Sequence, residues 1–314
     1  MSESNTQTNL YPTTDYEEYP QIDYTTLLII DSITVFICLL GLVGNGTVLW
    51  FLGFCIKRNP FTTYIMNLAI ADFGYLLCTT LFLFFENMYI FLFNLNIIRL
   101  IELFNMLVLF TYSISLYLLT AISTERCLSI LYPIWYQCHR PKHLSAIVCT
   151  LLWTLACLMA GLASPFCFLY SFETCIKMLT PLSATNLLVF SPIMVLSSII
   201  LFIKIRHSSQ QQQPRKLYLV IVLTVLFFVF FAVPLSTVTF SQNYTYDPFL
   251  IDFSFLLASG NSSINPFIYF LVGSYRKRRF RDSVKVAFRT VFEEKVDPRD
   301  NTETARADTM VTGI

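Results

Sequence analysis

Residues 59–85 read NPFTTYIMNLAIADFGYLLCTTLFLFF, a stretch with no Lys, Arg or Glu and a single acid, Asp72. About 20 predominantly apolar residues in helical geometry cross the hydrocarbon core of a bilayer. This stretch is long enough to do so, and it carries one carboxyl group in its middle. Working outward, six further uncharged or nearly uncharged runs occur at 32–56, 103–124, 144–166, 178–203, 217–246 and 253–275. The region 86–102 is ragged. Asn94 and Asn96 read as turn markers there, and Arg99 as the restart of the next helix.

Composition agrees. Of the 314 residues, 55% are hydrophobic and 13% charged, with 30 Phe. Soluble domains carry about 25% charged residues, so a water-soluble exterior is excluded, and so is disorder. The expected fold is an all-α membrane protein, a bundle of seven transmembrane helices at 27–273. An extracellular acidic tail at 1–26 precedes it, and an amphipathic juxtamembrane helix at 274–292 and a cytoplasmic tail at 293–314 follow. The polar start, without a basic patch, is expected not to be a cleaved signal, so the first span serves as the targeting signal.

Among 21 Lys and Arg, only Arg99 and Lys177 fall in segments on one side of the seven runs. The positive-inside rule then places the N-terminus outside and the C-terminus in the cytoplasm, in the plasma membrane. The outer side holds eleven acids, among them Asp31, Glu86, Glu102, Glu173, Asp247 and Asp252, which against two bases leaves −9. Two readings fit: a funnel for a cationic ligand, or the residue of an insertion rule that depletes bases outside. Cys167 and Cys175 lie at the outer ends of the fourth and fifth runs, where a disulfide would pin two helices together.

Ionisable groups at membrane depth are functional candidates. Asp72 is one, and Ser115, Asn261 and Asn265 are the polar residues positioned to face it. Together they form either a hydrated pocket for an allosteric Na+ or a structural polar network without an ion. Pro192, Pro234 and Pro266 interrupt three successive spans and are expected to kink them. Glu125 and Arg126 end the third span, an adjacent acid and base that can hold one another until something competes for the arginine. Beyond the last span, Phe280, Val284, Ala287, Phe288, Val291 and Phe292 recur at helical spacing opposite Arg281, Lys285 and Arg289. That pattern suits a helix lying on anionic membrane lipids.

In register, these marks resemble a rhodopsin-like (class A) G-protein-coupled receptor: Gly44-Asn45, Leu68 to Asp72, Glu125-Arg126-Cys127, Trp153, Pro192, Pro234 and Asn265-Pro266-Phe267-Ile268-Tyr269. The stretch TAISTERCLSILYPIWYQCHRP at 120–141 resembles the Mas-related receptor family, as do Asn59-Pro60-Phe61-Thr62 and Gly273-Ser274. Gly41 to Asp72 is most similar to the Mas and member H branch.

The resemblance implies a receptor that binds an extracellular peptide or small-molecule ligand and activates heterotrimeric G proteins as the sixth helix moves outward. Its switch residues would be Glu125, Arg126, Cys127, Pro234, Asn265, Pro266 and Tyr269, with Glu86, Glu102, Val108, Tyr112, Glu173 and Asp252 as pocket candidates. Arrestin and receptor kinases are the implied further partners. No nucleic acid is expected.

Departures from the wider class carry information. Ile101 replaces the usual outer cysteine of the third helix, and Mas-related receptors commonly link the fourth and fifth helices instead, which fits Cys167 and Cys175. Ala232 replaces the tryptophan two residues before the sixth-helix proline. No acid lies near Pro214–Lys216 to lock Arg126, so a weakly held inactive state with basal signalling is expected. Val108 in place of the amine-receptor aspartate and Ser259 in place of the retinal lysine argue against a monoamine receptor and an opsin. Relatives that bind cationic peptides use an acidic pair flanking the outer disulfide, whose places here are Ala163 and Leu179.

Peripheral signals are Tyr16 and Tyr19 among acids (sulfation, or a merely solvated tail), the sequon at Asn243, and Thr312-Gly313-Ile314 as a PDZ-binding end. An orphan-type modulator receptor without a dedicated ligand is the alternative. A transporter would show a repeat or several midplane charges. An enzyme would need a cluster of His or Cys, yet His139, His143 and His207 all lie in loops.

Overall fold

The computed structural model describes residues 24–56, 59–92, 95–141, 143–169, 172–207, 226–227, 230–231, 233–241 and 247–274. The acidic N-terminal tail, the expected amphipathic helix at 275–292, the C-terminal tail, Ala232, Asn243 and the 214–216 segment lie outside the described residues. Within them every regular element is helical, as the seven apolar runs predict.

The first three spans are Tyr24–Phe54, Pro60–Leu92 and Leu95–Leu131. The fourth is Leu144–Leu169. The fifth is a continuous rod of Phe172–Thr185, the π-helical turn Asn186–Phe190 and Ser191–His207. The sixth is described chiefly at Val233–Ser241, and the seventh is Pro248–Ser274. A short helix, Pro133–Cys138, sits in the loop between the third and fourth spans. Among the described residues, five helices are long and apolar enough to cross a membrane. The helices outrun the sequence-predicted boundaries: the second reaches Leu92 rather than ending at Phe85, and the third restarts at Leu95.

The helix starts follow from local chemistry. The Asn59 side-chain carbonyl accepts the Thr62 N–H at 2.7 Å, and the Thr62 hydroxyl accepts the Asn59 N–H at 2.8 Å. This reciprocal cap, with Pro60 at the first helical position, explains the motif that opens the second span. Asp247 caps the seventh span in the same way, its Oδ1 accepting the Phe249 N–H at 2.9 Å. One of the eleven acids expected on the outer side therefore has a structural task.

The third span is the axis of the bundle: Val108, Ile114, Leu116, Tyr117 and Leu118 are fully enclosed, and Tyr117 stacks on Phe190 of the fifth span. The first span instead turns Phe36, Val43, Trp50 and Phe54 outward, as a lipid-facing helix should. Its other face meets the seventh span closely. A Cβ on Gly44 would stand 3.2 Å from the Pro266 ring, so glycine admits a proline there. The seventh helix runs through Pro266 without interruption, and the irregularity near Pro192 takes the form of the π-helical turn just before it.

Candidate functional site

Three polar features lie on this frame: a cleft at the end that carries Cys167 and Cys175, a buried carboxylate at mid-depth, and a charged cluster at the opposite end. The two cysteines form a disulfide joining the fourth and fifth spans. Leu109, Ala163, Leu179 and Leu182 pack around it. Ala163 and Leu179, where relatives were expected to hold acids, thus make apolar packing here.

Beside the disulfide the second, third, fifth, sixth and seventh spans enclose a small cleft with about 80 Å³ of room for solvent. Glu86 and Glu102 line it with Asn105, Leu179, Leu235 and Phe255. Behind Glu86 stand Asp31 and Asp252, close enough for their charges to repel it, and Asp31 accepts a hydrogen bond from Asn87 Nδ2 at 3.0 Å. Of the six expected pocket residues, Glu86 and Glu102 therefore line the cleft. Asp252 stands behind it, and Glu173 lies on the fifth helix. Val108 and Tyr112 do not line the cleft: they turn into the core beneath it, where Tyr112 hydroxyl and Ser236 hydroxyl are 2.8 Å apart. Tyr112 stands on the same helix face as Ile101 and Asn105, which line the cleft, but two turns further in.

At mid-depth Asp72 is fully enclosed. Ser115 Oγ donates to its Oδ1 at 2.8 Å and Asn265 Nδ2 to its Oδ2 at 2.7 Å, which binds the second, third and seventh spans to one carboxylate. Ser262 also faces it. Asn261 is buried, but its Oδ1 and that of Asn265 have no hydrogen-bond partner among the described residues. The Asp72 carboxylate, the Ser115 hydroxyl and the unpartnered Asn265 Oδ1 are the oxygen donors a hard cation takes, so these residues fit a sodium ion, while Asn261 makes no hydrogen bond to Asp72.

At the far end, Glu125 and Arg126 do not hold one another. Glu125 Oε1 pairs with Arg140 and accepts the Tyr136 hydroxyl at 2.8 Å. The Arg126 guanidinium lies instead over the Phe61 ring, 4.5 Å from its centroid, and is itself buried. Burial, together with the Glu125 charge beside it, pushes the Tyr136 hydroxyl up to about 12, so it stays protonated and keeps donating. The expected acid–base neighbour pair is thus replaced by a longer-range one, because a loop cation reaches the carboxylate.

A profile described as 7 transmembrane receptor (rhodopsin family) matches residues 44–269. The chain is 41% identical over 292 residues to the proto-oncogene Mas of Rattus norvegicus, covering 87% of each. It is 44% identical over 289 residues to Mas-related G-protein coupled receptor member H of Mus musculus, covering 89% of this chain and 87% of the relative. The chain belongs to the Mas-related family of rhodopsin-like G-protein-coupled receptors. Member D of Homo sapiens matches at 44% identity over 266 residues, covering 82% of each. Mas and member H are thus among its relatives, as the stretch Gly41 to Asp72 suggested, and member D stands at the same level.

In this Mas-related receptor, Cys127 and Tyr269 are buried, and Pro234 is the second residue of the helix Val233–Ser241 in the sixth span. Arg140, Tyr136 and Ser145 escaped the sequence reading. The only signal for Arg140 was that it is a base in a short loop, which nothing distinguishes from a base placed by the insertion rule.

Proposed function

We propose that the receptor sits in the plasma membrane with the disulfide end outside, that its cleft takes a ligand with a basic group, and that a cationic peptide fits it best. Binding moves the opposite end of the sixth span outward, and Arg126 then engages a heterotrimeric G protein. The observation that carries the ligand class is the pair of carboxylates, Glu86 and Glu102, on the wall of one cleft. Carboxylates withdrawn from water gain most from a cation that enters with its own hydrogen-bond donors. The distribution of Lys and Arg supports the orientation, and so does a disulfide, which persists in an oxidising compartment.

Sodium at Asp72, with Ser115 and Asn265 contributing oxygens, is proposed as an allosteric cation that steadies the resting bundle. Arrestin and receptor kinases acting on the tail, a PDZ partner at Thr312–Ile314, glycosylation of Asn243 and sulfation of Tyr16 and Tyr19 are proposed from the sequence alone.

The test is a screen of basic and amidated peptides on cells carrying G-protein sensors. Arg126→Ala is expected to reach the surface and fail to signal, and unchanged signalling refutes the role of Arg126. Glu86→Gln and Glu102→Gln are each expected to weaken an active basic peptide about tenfold, about 1.4 kcal/mol. Full potency in both variants would remove the ligand from this cleft.

A further inference from the structure

The strongest relationship outside the cleft is the competition for one carboxylate at the base of the third span. Glu125 is 13% exposed and Arg140 7%. Two cations compete for this acid: Arg126, its neighbour in the chain, and Arg140, brought by the loop. Arg140 holds it. Its Nη2 donates to Glu125 and to Ser145 Oγ at 2.6 Å, and its guanidinium lies 5.2 Å from the centroid of the Tyr136 ring. Tyr136 donates to the same Glu125 oxygen, and Tyr64 of the second span lies against the carboxylate. The short helix Pro133–Cys138 carries Tyr136 and leads directly to Arg140, so the loop as a unit grips the acid.

The consequence falls on Arg126. Among the described residues its guanidinium has no carboxylate partner and rests on the face of Phe61. The sequence offers no other acid from the fifth or sixth span, because none occurs between Glu173 and Asp247. Glu125 is therefore the carboxylate best placed to restrain Arg126, and the loop has taken it.

We propose that Arg140 is a positioning residue for G-protein coupling: by holding Glu125 it keeps Arg126 uncommitted before any ligand binds. This rests on the reading of Arg126 as the coupling residue. It inverts the expectation for an ion pair that secures a resting state. Removing Arg140 returns Glu125 to Arg126 and lowers ligand-free coupling.

The experiment uses the full-length receptor fused to each of a panel of Gα subunits, with GTPγS uptake measured without ligand and normalised to receptor at the cell surface. Wild type is expected to exceed Arg126→Ala. Arg140→Ala is expected to fall about fivefold, the lower range of a coupling between two bundle states, and Arg140→Lys to keep most of the uptake. Glu125→Gln is expected to match or exceed wild type, and adding Arg140→Ala to it to change nothing further, because the carboxylate is already gone.

Uptake in Arg140→Ala at or above wild type overturns the proposal. So does an equal fivefold loss in the Glu125→Gln background, which would mean that Arg140 touches the G protein or supports the loop directly. If wild type equals Arg126→Ala while Glu125→Gln rises above both, Glu125 already restrains Arg126 and the proposal fails alone. If Arg126→Ala has no effect in either background, the coupling role of Arg126 is what fails.

Discussion

The hydroxyls of Tyr112 and Ser236 stand 2.8 Å apart, fastening the third span to the sixth immediately below the cleft. Leu235, the neighbour of Ser236, lines the cleft itself. The tryptophan that the wider class carries two positions before the sixth-helix proline is replaced by Ala232 here. This hydrogen bond therefore offers a direct link between cleft and sixth span.

Tyr112→Phe and Ser236→Ala are each expected to destabilise the resting receptor by about 1 kcal/mol, the usual net worth of a buried hydrogen bond. Both groups belong to one bond, so the double variant should cost little more than either single one. Thermal unfolding of the purified receptor measures this, and full additivity would show that the two hydroxyls act separately.

Sodium is expected to protect the receptor against heat through Asp72. At a concentration about fivefold above its dissociation constant, a cation that binds only the folded state contributes about 1 kcal/mol. Melting in NaCl should therefore lie above melting in KCl at equal ionic strength. The difference should vanish in Asp72→Asn, which keeps the size of the side chain and removes its charge. Equal melting of wild type in both salts would leave Asp72, Ser115 and Asn265 as a polar network alone.

Cys167 and Cys175 close a loop with a sequence separation of 8. Chain-entropy reasoning gives a cross-link of this span about 2–3 kcal/mol, and its neighbours Leu109, Leu179 and Leu182 pack against it. Cys167→Ser with Cys175→Ser should lower the melting temperature and the amount of receptor at the surface, and mild reduction of wild type should reproduce the loss. Identical melting with and without reductant would mean that the packing around the pair suffices.

Gly41 lies where the first span meets the second and seventh. A Cβ there would collide with Ser263 Oγ and stand 2.7 Å from Leu76 Cδ1 and 2.8 Å from Ser263 Cβ. Small residues at such positions let membrane helices approach closely. Gly41→Ala should cost about 1–3 kcal/mol through overpacking, read as reduced surface expression. Ser263→Ala in the same chain should recover part of it, and normal expression of Gly41→Ala would show that the interface yields.

Much of this molecule is legible in its sequence. Seven apolar runs fix the number of spans, because the bilayer admits few other ways to satisfy a backbone. Asp72 marks itself as the lone acid in its run, and Ser115 and Asn265 follow because few polar residues lie at its depth. The cysteine pair stands out in the same way, placed at neighbouring helix ends. Depth along a span is a matter of counting residues, so the sequence determines it.

Rotation about the helix axis and the course of the loops are different. Tyr112 shares the helix face of Ile101 and Asn105 yet ends in a hydrogen bond to Ser236 below the cleft, and Asp247 proves to be a helix cap rather than a free acid. Glu125 sits beside Arg126 in the chain but bonds Arg140, which is 15 positions away. Which partner a carboxylate takes depends on where a short helix, Pro133–Cys138, and the residues after it lay Tyr136 and Arg140 against the end of the third span. That is decided by packing among segments distant in sequence, which only the tertiary structure holds.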